Sequence, residues 1–248
     1  MSAHWRPRHC CRGLPRNRMQ ALKVVFRFRS PLMVDSEHPL HLDAVLSFAL
    51  MKELEENESA NPWQESLDLS NILEKTEGTP WVWKASQIEF RSGMAPFLST
   101  HLMTNMIRRS DPERTYADLG YAWETSRTVG PAFKVDTRSG QQRGYQWLAA
   151  SRWIREATAW AIGDIDAVRH YLSFIKFLGK QGRNGYGQIS EVSVDPVTQD
   201  VEKENWKKRC LPEGIPGLPG IVYEPSFETA RPPYWRRTER ERVLVPVI

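Results

Sequence analysis

The sequence predicts an α+β protein: one main body followed by a proline-rich C-terminal segment. Three patterns carry this. Lys23–Arg29 alternates with the period of a strand, Leu42–Glu56 and Asp164–Leu178 set apolar residues at helical spacing, and Gln188–Val194 returns to the strand period. The 248 residues are 40% hydrophobic and 26% charged, enough apolar material for one large domain or two small ones and too much for a disordered chain. No window approaches the roughly 18 uncharged apolar residues of a membrane span, so no membrane partner is expected. Three cysteines, two of them adjacent, cannot build a disulfide framework, which points to a reducing, cytoplasmic setting.

Residues 1–18 read as a basic, disordered leader or an upstream-start extension. Arg6, Arg8, Arg12, Arg16 and Arg18 stand there without an acid, Pro7, Gly13 and Pro15 break any helix, and no apolar stretch suits a secretory signal. His4, His9, Cys10 and Cys11 do not have zinc-finger spacing, and no metal is expected. In the first strand Val24, Phe26 and Phe28 share the buried face, opposite Val25, Arg27 and Arg29, and Pro31 ends it. The helix at 42–56 buries Leu42, Val45, Leu46, Ala49, Leu50 and Leu54. Residues 57–79 are polar and turn-rich, and Trp81–Arg91 has strand composition. Around 93–145 Gly, Pro, Arg and Ser recur while apolar residues persist, which suggests an inserted arm, either long loops or an inserted subdomain. Trp147–Ile162 reads as one strand, with a helix as the alternative because Ala is frequent. Gly163 ends it and Asp164 caps a helix over 164–177, whose stripe is Ile165, Val168, Leu172, Ile175 and Leu178. The body therefore spans 19–194. Residues 195–248 hold eight of the 17 prolines and are expected to pack on it in extended segments.

The sharpest functional signal is the loop GKQGRNGYG, where Gly179, Gly182, Gly185 and Gly187 alternate with Lys180, Arg183 and Tyr186. Glycines let a backbone approach phosphates and turn its N–H groups toward them. The loop follows a helix and opens a strand, so it is no dinucleotide fingerprint, and it lacks the GxxxxGK[ST] of a Walker loop. Residues 167–190 contain Arg169, Lys176, Lys180 and Arg183 and no acid; residues 125–155 contain Arg127, Lys134, Arg138, Arg143, Arg152 and Arg155 against Asp136 alone. In a chain of net charge only +4, two zones of one sign suit a nucleic-acid backbone. A flexible hairpin with solvated faces is the competing reading.

Three segments in order resemble the CRISPR-associated RAMP superfamily, and within it a type IV member related to the fifth Cas family. They are Pro39–Asp43 (PLHLD) at a helix start, Leu178–Gly187 (LGKQGRNGYG), and Pro232–Trp235 (PPYW). The resemblance runs from about Leu22 to the C-terminus; Gln181 and Gly182 depart from the family loop by intervening before Arg183. It implies a ferredoxin-like, RRM-type core with thumb-like inserted loops. It implies an antiviral-defence ribonucleoprotein in which this subunit caps the 5′ handle of the crRNA. Its partners would be backbone subunits of the seventh Cas family and the large subunit, with target DNA near the PAM and an accessory helicase also in reach. On this view Lys180, Gly182, Arg183, Gly185, Tyr186 and Gly187 bind RNA, as do Arg127, Lys134, Arg138 and Arg143 in the arm.

Catalytic residues and cofactors are not expected. His38 and His41 are three apart with Pro39 between them, and His41 and Asp43 read as groups that satisfy helix N–H donors. His101 and His170 show no partner set, and His170 lies by the apolar stripe. The alternative function is a metal-independent endoribonuclease that processes crRNA on the same fold, with His41, His101 or His170 as the base. Trp81, Trp83, Trp147, Trp153 and Trp160 read as core rather than as stacking surfaces.

Overall fold

The first alternating segment forms strand β1 (Gln20–Phe28), with Leu22, Val24 and Phe26 fully buried and Lys23, Val25 and Arg27 on the opposite face. The computed structural model describes residues 19–34, 39–92, 97–103 and 145–247. After β1 come α1 (Leu42–Glu56), the one-turn α2 (Pro62–Glu65) and β2 (Glu89–Ser92). Then follow β3 (Phe97–Met103), β4 (Tyr145–Ser151), β5 (Ile154–Gly163), α3 (Ile165–Ser173) and β6 (Ile189–Pro196). The tail adds β7 (Leu211–Pro212), β8 (Tyr223–Glu228) and β9 (Glu241–Pro246). The fold is a mixture of helices and antiparallel sheets.

Chain contacts divide the molecule into two compact units, Met1–Pro96 with Arg152–Ile248, and Phe97–Ser151. In the second, β3 pairs antiparallel with β4 from Phe97↔Ser151 to Met103↔Tyr145. In the first, the main sheet has the order β2-β5-β1-β6, and every neighbour is antiparallel. Helices α1 and α3 lie side by side: Glu53 of α1 accepts the Tyr171 hydroxyl at 2.9 Å and sits 3.0 Å from His170 Nε2. Leu46 and Leu172, one from each helix, are buried in one core with Leu22, Val24 and Phe26, as their periodicity predicts. Asp164 caps α3 by accepting from Asp166 N and Ala167 N, also as expected.

Several boundaries differ from the sequence reading. Trp147–Ile162 is two strands, because Arg152 exchanges both backbone hydrogen bonds with Leu32 (2.8 and 2.9 Å) and β5 then joins a different sheet from β4. Trp153 beside that break is 46% exposed rather than core. Helix α3 stops at Ser173, where Phe174 N and Ile175 N tighten to carbonyls three residues back. Residues 176–178 then run beside the start of β6, with Lys176 O accepting from Ile189 N at 3.0 Å. Of Trp81–Arg91 only the end is strand; Trp83, Ala85 and Gln87 bridge singly to Lys75, Ala161 and His41. The tail is more than an extended wrap. Its sheet, in the order β7-β9-β8, closes a second small core of Val82, Trp206, Cys210, Leu211, Ala230 and Val243. Among the described residues no helix is long and apolar enough to cross a membrane.

Candidate nucleic-acid interface

The glycine-rich loop is a rigid turn tied to the segment that leaves β1. Lys180 N donates to Met33 O and Gly187 N to Pro31 O, both at 2.7 Å, while Leu178 N donates to Gly187 O across the loop's mouth. Its tip is a 3-10 turn over Gly182–Asn184, with Gln181 and Gly185 left-handed on either side. At two positions only glycine fits. Gly187 has φ +66°, and a Cβ there would stand 1.9 Å from Leu178 O; at Gly179, φ +83°, it would stand 2.5 Å from Met33 O. Gly187 is thus buried scaffold, and the N–H groups of Lys180, Gly185 and Gly187 are spent on protein carbonyls. What the loop offers to a ligand is its exposed side: Lys180, Arg183, Asn184 and Gly185, with Gly182 and Tyr186 half-buried.

More positive charge stands alongside. Between α3 and β6 lies a groove of about 640 Å³, with Arg29, Arg169 and Lys176 on its walls and Glu191 and Asp195 along β6. Arg169 is anchored there by donating to Val194 O at 2.7 Å. The sheet face turned away from the helices is electrically different. Its central row, Arg91–Glu156–Arg27–Glu191, alternates in sign, and Arg27 reaches Glu191 at 2.6 Å and Glu156 at 3.9 Å. Trp160, also on that face, is covered by the tail: Lys208 Nζ stands 4.3 Å from its ring centre and 2.9 Å from Glu89. Cations uninterrupted by an acid in sequence therefore stand on the loop, whereas the outer sheet face alternates in sign.

Two of the three motif segments meet in the interior. Arg209 is completely buried. Its Nη1 donates to Asp43 Oδ2 (3.0 Å), Trp83 O (2.6 Å) and Ala85 O (2.9 Å), and its Nη2 to Ala230 O (2.5 Å) and the Tyr234 hydroxyl (2.7 Å). The Tyr234 hydroxyl donates in turn to the Asp43 carboxylate at 2.8–2.9 Å. The His41 ring stacks on Tyr234, centroids 4.5 Å apart and 7° from parallel, and Cys210 N approaches His41 Nε2 at 3.5 Å. Burial pushes the Asp43 carboxyl up, against the pull of Arg209 and Tyr234. Burial opposes the Arg209 charge, but Asp43, Tyr234 and Cys210 together outweigh it and the guanidinium is held more firmly protonated. Burial, then the Arg209 charge, holds His41 well below its ordinary value, so the ring is neutral. The expected capping role fails for His41, which makes no side-chain cap bond. Asp43 does accept from Ala44 N at 2.9 Å, but its main partner is a cation 166 residues away. This cluster locks the tail to α1 and buries the His41 ring.

His170 is not the isolated histidine the sequence suggested: its side chain is 40% exposed and bonded to Glu53. Arg127, Lys134, Arg138 and Arg143 lie outside the described residues, as do His4, His9, Cys10, Cys11 and His38. Among the described residues no cluster of His, Cys, Asp or Glu could hold a metal ion. Arg209 escaped the sequence reading because Lys207-Lys208-Arg209 looks like any solvated basic run. The available signal was the PPYW motif, whose tyrosine needs a buried partner. No curated protein matches the chain. A family model described as CRISPR type IV associated protein Csf3 matches residues 20–246.

Proposed function

The chain belongs to the type IV CRISPR-associated Csf3 family, and on that premise we propose that it is a non-catalytic RNA-binding subunit of a type IV effector complex. It caps the 5′ handle of the crRNA and contacts backbone subunits of the seventh Cas family and the large subunit. The β-α-β-β-α-β order of the main body and its strand order support a ferredoxin-like reading. The observation that carries RNA binding is the rigid loop presenting Lys180 and Arg183, within a stretch from 167 to 190 that holds four cations and no acid. RNA meets this end of the fold rather than the outer sheet face, where an RRM would stack bases, because that face is charge-balanced and partly covered. Phosphate contacts supply affinity, and the arm residues Arg127, Lys134, Arg138 and Arg143 extend the footprint.

The test is binding of labelled repeat RNA across a salt series. Replacing Lys180 and Arg183 together with Ala should weaken binding and flatten the log–log salt slope by about 1.4, at roughly 0.7 per phosphate contact. An unchanged slope removes the loop from the site. The endoribonuclease reading draws on one observation, the His170–Glu53 pair at 3.0 Å with Tyr171 on the same carboxylate. Repeat RNA cleaved in EDTA by the parent chain and spared by His170→Ala would favour it.

A further inference from the structure

The PPYW segment does two opposite things with neighbouring aromatics. Tyr234 is bonded into the interior, while Trp235, the next residue, is 71% exposed. The backbone on both sides of Trp235 is pinned: Arg236 N donates to Pro233 O at 3.1 Å, and Thr229 Oγ1 donates to Arg236 O at 3.2 Å. A large apolar ring held in water on a rigid pedestal contributes nothing to this chain's own core. Arg236, whose guanidinium stands 6.0 Å from the Trp235 ring, also lines an open groove of about 1050 Å³. That groove runs between the 231–241 segment and the stretch from Gln64 to Trp83. Inside it Trp81 carries Lys75 at 3.8 Å and Arg231 at 5.1 Å. On α2, next to the lining residue Gln64, Trp63 is 62% exposed.

The charges of the groove decide what it fits. Arg231 pairs with Glu241 at 2.9 Å, Arg236 with Glu239 at 2.8 Å, and Glu74 with Lys84, so the surface is balanced overall. Lys75 and Arg240 are cations of the lining without an ion pair among the described residues. A polyanion would meet Asp68, Glu239 and Glu241 there, unlike at the glycine loop, where no acid interrupts the cations. Exposed Trp and Arg around an apolar floor with local charge balance is the composition of a protein-binding hot spot. We propose that this groove, with Trp235 at its side, is a docking surface for an extended polypeptide segment of another subunit. That segment brings an apolar side chain to Trp235 and a carboxylate to Lys75 or Arg240.

The proposal rests on the reading of the chain as a subunit of a type IV complex but not on its RNA binding, so the subunit titration is run without RNA and RNA affinity is measured separately. The chain is mixed with the separately purified remaining subunits of the type IV complex, and pairwise binding is titrated for the parent, Trp235→Ala and Arg240→Glu. Truncating a hot-spot tryptophan should weaken binding to one subunit by about thirtyfold. Because both residues are exposed, melting temperature should hold and repeat-RNA affinity of the isolated chain should stay within about twofold. Arg240→Glu carries the test alone if Trp235→Ala fails to fold. Undiminished subunit binding by both variants overturns the proposal. So does a loss of RNA affinity matching that of the Lys180/Arg183 double variant, which would make the groove an RNA site. A self-associated state of the parent that disappears in Trp235→Ala would assign the groove to a second copy and overturn it as well.

Discussion

Replacing Arg209 with Met keeps an unbranched apolar stem, shortens the side chain, and removes its charge and its donors. Five hydrogen bonds from Nη1 and Nη2 disappear, leaving the carbonyls of Trp83, Ala85 and Ala230 without that donor and Asp43, among the described residues, with Tyr234 and Ala44. Both charged partners are fully buried, so solvent does not compensate until the site opens. Breaking a buried pair from one side costs about 3–5 kcal/mol, because the remaining charge stays desolvated. At about 2–4 °C per kcal/mol for a chain of this size, a loss of about 4 kcal/mol lowers the melting temperature by roughly 8–16 °C. Circular dichroism melts and urea midpoints of the purified chain measure this. Arg209→Met with Asp43→Leu should recover part of the loss, since the pair is then replaced by apolar groups rather than halved. A single-variant loss below about 1 kcal/mol, or a double-variant loss equal to the sum of the singles, would refute the lock.

His41 gives a pH dependence of fixed sign. Its folded-state value lies well below the ordinary 6.5, so on acidification the unfolded chain takes a proton that the native one refuses. Stability is full above about 6.5 and is lost as pH falls below it, by up to about 1.4 kcal/mol per pH unit. His41→Phe, which keeps a ring against Tyr234, should flatten that limb in urea midpoints taken at pH 7.5, 6.5 and 5.5, and an unchanged limb would assign the effect elsewhere. Gly187→Ala forces a Cβ onto Leu178 O at a left-handed φ and should cost about 3 kcal/mol, summing strain and overpacking, whereas Gly185→Ala, with open space around it, should cost about 1 kcal/mol. Equal urea midpoints for the two alanine variants would contradict that distinction.

What the sequence determined by itself is what local order encodes. Alternation at Val24, Phe26 and Phe28 sets the core-facing side of β1, where Val24 and Phe26 are buried and Phe28 at the strand end is half-buried, the 3.6-residue stripe at Val168 and Leu172 sets the buried face of α3, and Asp164 marks its start, because pleat, helix pitch and N-cap depend only on neighbours a few residues away. The cations Lys180 and Arg183 were legible for a related reason: charge sign is a property of composition, and the stretch from 167 to 190 holds no acid of its own to pair with them, although the run Lys207-Lys208-Arg209 shows that the fold can bring acids to cations from elsewhere. Partners were not legible, because they are chosen across the chain. Asp43 reads equally well as a helix cap or an ion-pair acid until Arg209 arrives from the tail, and Trp147–Ile162 reads as one strand until Leu32 takes both backbone bonds of Arg152. The loop's glycines look alike in sequence, yet Gly187 is needed because Leu178 O leaves no room for a Cβ, while Gly185 faces open space. The same holds for Tyr234 and Trp235, adjacent aromatics of which one is half-buried with its hydroxyl bonded to Arg209 and Asp43 and the other is exposed. Only the tertiary structure sorts them, since burial is decided by what packs against a side chain and that neighbour is set by the fold rather than by the residue beside it.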